Sequence, residues 1–241
     1  MTNSIYDIPV PFLAVAMIPL VIVMIIYIRW ALPYKTLLDA TARMLIQLIL
    51  IGFVLIYIFE SHSPWLVTGI LSFMLMIASW IAIRPLTLKS PDLYLKTLAS
   101  LSIGCLSTLI LVIGGVIRLS PWHEPRYLIP IAGMIFANAM NGLSLAIERF
   151  HSETERNIPY IQARNKAYQA CLIPLLNSFF AVGLVSLPGM MTGQILAGVS
   201  PLIAVRYQIV VMAMLLGATG ISAAIYLAWQ RPNRGKDPII N

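Results

Sequence analysis

Apolar runs of up to about twenty residues, several of them closed by an arginine, recur along the whole chain. Val10 to Ile28 is opened by Pro9 and Pro11 and closed by Arg29. Trp65 to Ile83 ends at Arg84, and Leu98 to Ile117 ends at Arg118. A helix needs about 20 apolar residues to cross hydrocarbon. No water is available there to satisfy backbone N–H and C=O groups, so such runs must span as helices. Only 10% of the residues are charged, against about 25% in a soluble domain. No soluble core could hide this much apolar length. The expected fold class is therefore an all-α integral membrane protein.

The spans fall at about 10–28, 44–59, 65–83, 98–117, 127–147, 171–187 and 207–229, which makes about seven. The N-terminal run is too long for a signal peptide and has no small-residue cleavage site, so it reads as the first span. The region after Cys171 is too long for one span, and Pro188-Gly189 divides it. Proline suits the first turn of a new helix. Residues 188–199 therefore read as a short Pro-Gly-initiated half-helix. A polar stretch, 148–170, reads as a loop in which Pro159 would break any helix. The length suits a single polytopic membrane domain, 1–241.

Basic residues distribute unevenly across this topology. One face receives Arg29, Lys35, Arg43, Arg84, Lys89, Lys96, Arg149, Arg156, Arg164, Lys166, Arg231, Arg234 and Lys236. The other receives Arg118, Arg126 and Arg206, which completes the 16. The positive-inside rule then makes the 148–170 loop and the C-terminus cytoplasmic and the N-terminus external. The charge of +7 is thus a matter of topology, and nucleic acid is not an expected partner. No Walker A pattern occurs, so any use of ATP would need another chain.

Chemistry-bearing residues are sparse. His62, His123 and His151 fall in separate loops with no partner spacing and read as solvated. Cys105 and Cys171 form no metal-ligand pattern and read as small core residues. Polar groups inside spans say more, because each is costly in hydrocarbon. Arg43 and Gln47, four apart, share a helix face, either as a topology anchor or as part of a polar pathway. Asn138 and Asn141 in the fifth span, and Asn177 in the sixth, must face protein or water. They serve as interhelical glue or line a path. Gly189, Gly193 and Ala197 make a small-xxx-small packing stripe. The methionines near these features, Met134, Met140, Met190 and Met191, read chiefly as gap fillers.

Several stretches together resemble one family. Arg43-Met-Leu-Ile-Gln47 through Gly52 looks like its second-helix motif, and Ile129 through Met140 like its fifth-helix motif. Most specific is Gly183-Leu-Val-Ser-Leu-Pro188-Gly-Met-Met-Thr-Gly193 through Gly198, followed by Pro201 and Arg206-Tyr-Gln208. This is similar to the FetB/YbbM-type permeases, membrane subunits of a bacterial iron-export ABC transporter, with plant relatives in aluminium tolerance. The resemblance covers about residues 40–230. It implies a permease that binds no cofactor itself, works with a separate ABC ATPase subunit that supplies ATP, and forms a homodimer in the bacterial inner membrane. It implies a metal ion as cargo, with iron the best-known. The path candidates are Arg43, Gln47, Asn138, Asn141 and Asn177. The gate or packing candidates are Pro188, Gly189, Met190, Met191, Gly193 and Gly198. The ATPase-docking loop would be Glu148, Arg149, Glu153, Glu155 and Arg156. That loop is shorter than in the family and lacks its Leu-Gly-Ala segment. An ATP-independent channel is therefore the alternative expectation, and a membrane-embedded enzyme has no paired His or carboxylate to support it. The metal ligands stay open.

Overall fold

The computed structural model describes residues 9–61, 63–86 and 90–231. His62, Lys89, Arg234 and Lys236 lie outside them. The described residues are helical throughout, with one isolated bridge between Val182 and Ser186. Contacts gather into two compact units.

The first unit holds α1 (Val10–Ala16), α2 (Ile18–Arg29) and α3 (Tyr34–Glu60). α1 and α2 form one apolar rod from Pro11 to Arg29, jointed at Met17. α3 begins ten residues before the expected span. Its added turns carry Lys35, Asp39 and Arg43. The Arg43 Nε donates to Asp39 Oδ1 at 3.0 Å, an i,i+4 pair that supports the helix. Among the described residues, α2 buries no side chain and α3 only Ile58. Apolar surface of that extent is matched to hydrocarbon.

The second unit is a bundle of α4 (Pro64–Ala82), α5 (Pro91–Ile110), α6 (Pro125–Glu155), α7 (Tyr160–Ala181), α8 (Gly189–Leu196, of which all but Leu196 falls in this unit) and α9 (Pro201–Trp229). α5 continues as a π-helical segment, Leu111–Ile117, through Gly114-Gly115. Arg118 closes it in the left-handed conformation, φ 54°. Pro64, Pro91, Pro125 and Pro201 each open a helix, where a missing N–H costs nothing. α9 packs against α5, α6 and α7, and α4 lies against α5 and α6.

Close approach explains this arrangement. Gly104 of α5 lies directly against Ser222 of α9, and Gly142 of α6 against Thr219. Gly220 faces the Tyr168 hydroxyl of α7. A methyl group at Gly104 or Gly142 would overlap its neighbour. Around this seam Leu101, Cys105, Ile135, Leu143 and Ala218 are buried, and Cys171 joins them. Both cysteines are free and buried, as their apolar settings suggested.

α7 departs most from expectation. The sequence predicts a sixth span at 171–187, but the helix starts at Tyr160 and the chain leaves it at Val182. Residues 148–170 are therefore not a loop. α6 runs on to Glu155 and α7 begins at Tyr160, so only Arg156–Pro159 turns, and Pro159 breaks the helix as expected. The reason is a period of four: Ala163, Ala167, Cys171 and Leu175 are buried, while Gln162, Asn165, Lys166 and Gln169 face outward. His151 accordingly sits on a helix, not in a loop.

Among the described residues six helices are long and apolar enough to cross a membrane by length and composition. α7 is not among them because its first half is polar. Packing nonetheless runs it the length of the bundle. The Tyr160 hydroxyl donates to the Leu227 carbonyl at 2.9 Å, Tyr168 meets Gly220, and Phe179 shares a cavity with Gln208. α7 is thus antiparallel to α9 over about 30 Å. The expected half-helix is present as α8, ended by Gly198 at φ 88°.

The seam yields a contrast. Gly142→Ala must displace Thr219 and should lower stability by about 1–3 kcal/mol, the usual cost of overpacking. Gly69→Ala on α4 meets no atom within 4 Å. It should be neutral or stabilising by up to about 1 kcal/mol, because alanine favours a helix. Thermal unfolding of the detergent-purified variants separates the two.

Candidate functional site

Two regions of the second unit hold the polar groups. The first is the tip where α6 meets α7. Glu153 is only 2% exposed and is the sole buried charged side chain among the described residues. Arg149 Nη2 reaches its Oε1 at 2.6 Å, and Lys166 Nζ donates to Oε2 at 2.8 Å. A buried carboxylate is tolerable only when paired this way. Because Lys166 comes from α7 and Arg149 from α6, the carboxylate ties the two helices together. The Ile158 N–H donates to the Glu153 carbonyl at 3.2 Å, which fixes the turn. Phe150 and Tyr160 meet edge-on at 6.1 Å, and the Arg164 guanidinium lies over the Tyr160 ring. The result is a stapled helical hairpin.

This geometry divides the docking candidates. Glu148, Glu155 and Arg156 are exposed on the hairpin. Glu155 accepts the His151 Nε2 contact at 3.1 Å. Glu153 is turned inward and offers nothing to a partner, and Arg149 is half engaged with it. Beside the hairpin lies a cavity of about 330 Å³ lined by Asp92, His151, Thr154, Tyr226 and Gln230. Asp92 in turn pairs with Lys96 at 2.7 Å.

The second region is the outward face of α6 and α7. Asn138 is half-buried and its Nδ2 donates to the Met134 carbonyl of its own helix at 3.0 Å. Asn141, one turn on, is exposed, and so is Asn177 on α7. The antiparallel contacts of Phe150 with Tyr160 and Gly142 with Cys171 put Asn177 nearer the Arg126 end than Asn138. An amide left open in mid-helix needs a polar neighbour in hydrocarbon. Arg43 and Gln47 belong to the first unit, on α3, where both are exposed. The five path candidates are thus divided between the two units.

Of the gate candidates, Pro188 precedes α8, its carbonyl accepting the Thr192 N–H at 2.9 Å. Gly189, Met190, Met191 and Gly193 lie on α8. Gly189 and Gly193 have no neighbour within 4 Å in the second unit, so that stripe is not a tight seam there. Gly104, Gly142 and Gly220 serve as the seam instead, and sequence reading passed them over. It also passed over Gln208 as a site residue, though it closes the third quoted motif. Gln208 is 6% exposed, and its Oε1 has no hydrogen-bond partner. Among the described residues no three His, Cys, Asp or Glu side chains gather as metal ligands.

A polytopic bundle of apolar helices, tightly seamed at its centre and stapled at one end, defines a multi-pass membrane protein. The model of the uncharacterised protein family UPF0014 matches residues 11–232, and the chain belongs to that family. It is 36% identical over 210 residues to the UPF0014 membrane protein slr1647 of Synechocystis sp., covering 79% of this chain and 81% of that protein. It is 33% identical to the protein ALUMINUM SENSITIVE 3 of Arabidopsis thaliana, over 79% of this chain and 74% of that one. It is also 33% identical to the "Probable iron export permease protein FetB" of Escherichia coli, over 82% and 81%. No solved structure matches.

The staple gives a direct expectation. Glu153→Gln removes the charge that holds both cations and should loosen the turn at Arg156–Pro159. Limited proteolysis should then cut there faster than in the parent protein. Glu148→Gln, at an exposed position, should leave the cleavage rate unchanged.

Proposed function

We propose that this chain is the membrane permease subunit of an ABC-type metal exporter, with iron the leading cargo, driven by a separate ATPase subunit. The observation that carries the reading is the kinship with FetB over four-fifths of both chains. In this reading two permeases pair in a bacterial inner membrane, with the N-terminus outside and the C-terminus cytoplasmic. The basic residues of the second unit support that orientation. Arg84, Lys96, Arg149, Arg156, Arg164, Lys166 and Arg231 lie toward the hairpin end, against Arg118, Arg126 and Arg206 at the other.

The stapled hairpin is then the docking element, and it presents Glu148, Glu155 and Arg156 to the ATPase. A rigid tip suits this role, because force from nucleotide turnover reaches the span only through an element that does not bend. Within the second unit Asn138, Asn141 and Asn177 line the path. They contact cargo as neutral amides, without tight coordination. α8, with Pro188, Gly189, Met190, Met191, Gly193 and Gly198, gates its outer end.

The second reading, an ATP-independent channel, rests on the absence of the family's Leu-Gly-Ala segment from 148–170. Affinity purification of a tagged copy from its native host in mild detergent separates the two. Co-purification of an ATPase subunit, lost when Glu148, Glu155 and Arg156 are all replaced by alanine, supports the coupled exporter. A solitary protein in a stable preparation, with a candidate ATPase expressed, rejects it in favour of the channel. The path is tested separately. Asn141→Leu should cut metal efflux from cells by tenfold or more, on the order of a lost contact of 1.4 kcal/mol, while ATPase co-purification stays intact.

A further inference from the structure

Two apolar cavities open on α9 near its Arg206 end. One, of about 430 Å³, is walled by Phe179, Leu187, Met191 and Met212. The other, of about 490 Å³, is walled by Leu111, Val112, Val116 and Met214. Ile209 and Ala213 line both, so they form a ridge with a cavity on either side. Arg206 lies three residues before Ile209 and seven before Ala213, which puts it on the same helix face at the head of the ridge. It is exposed, and among the described residues no carboxylate pairs with it. Gln208 also lines the first cavity, nine-tenths buried, with its Oε1 unpartnered.

Depth adds to this. The π segment ends at Arg118, α6 begins beside Arg126, and Arg206 lies in the second turn of α9. Three arginines at one end of an otherwise apolar bundle mark the level of lipid headgroups.

We propose that this ridge is a binding site for an anionic two-chain phospholipid. One acyl chain fills each cavity astride Ile209 and Ala213, and the phosphate sits against Arg206. Each part answers a separate requirement. Two separated apolar volumes suit two tails. A lone guanidinium at headgroup depth suits a phosphate. Phosphatidylglycerol brings the net negative charge that phosphatidylcholine lacks. Any groove on a membrane protein takes up lipid tails in passing. The arginine adds selection by headgroup. This site does not depend on the transport reading.

The test is native mass spectrometry of the full-length protein in detergent with equal phosphatidylglycerol and phosphatidylcholine. Phosphatidylglycerol adducts should exceed phosphatidylcholine adducts about fivefold, the discrimination of one arginine near an anionic surface. Arg206→Gln should bring them to parity, while Arg206→Lys and Arg126→Gln keep the preference. Ala213→Phe, at an exposed position the fold can accommodate, should reduce both adducts. Parity in the parent protein overturns the proposal, as does a preference that survives Arg206→Gln. Inorganic phosphate that binds and suppresses phosphatidylglycerol would make this a free-anion site and overturn it too. So would an Ala213→Phe variant that changes oligomeric mass but not lipid adducts, since the ridge would then join two copies of the chain.

Discussion

The approach of α9 to three neighbours at once is the contact on which the second unit depends. Helices in hydrocarbon gain little from apolar burial, since lipid tails are as apolar as leucine side chains. What holds them is close packing, and that requires small residues at the crossing points. Gly104, Gly142 and Gly220 provide the space for Ser222, Thr219 and the Tyr168 hydroxyl. Larger residues there would part the helices and open gaps around Cys105, Leu143 and Cys171. The hydroxyls of Thr219 and Ser222, fully buried in this seam, show how little spare volume is left.

Most of the helices were legible because the bilayer imposes their length. Runs closed by Arg29, Arg84 and Arg118 end where their helices end, within a residue or two. Pro188-Gly189 marked the start of α8, and Pro159 marked the turn. α7 was misplaced because hydropathy reports composition and not face. Its Ala163, Ala167, Cys171 and Leu175 stripe is buried by protein, so the outward residues could stay polar without ending the helix. The same blindness hid the seam. Gly189 and Gly193 carry the familiar spacing and are open, while Gly104, Gly142 and Gly220 lie on three different crossings that no single-helix pattern links.

The candidate site divided in the same manner. Asn138, Asn141 and Asn177 stood out because amides are conspicuous against apolar neighbours, and two of them do face outward in mid-bundle. Glu153 looked like one more charge in a polar stretch. Its burial is decided by Lys166, thirteen residues further on, which meets it only because the chain reverses at Arg156–Pro159. Gln208 was quoted as part of a motif but given no role, since its cavity exists only once α7 and α8 fold back over α9.

The long helix α6 has a mechanical consequence. It spans 31 residues, or about 46 Å, well beyond a hydrocarbon thickness of about 30 Å. Its closest crossing with α9, at Gly142, lies about 20 Å from the Glu155 end and about 25 Å from the Pro125 end. The two arms on either side of it are nearly equal. A tilt of α6 about that contact would carry both ends through similar distances in opposite directions. The carboxylate of Glu153 would make the tip of α7 follow.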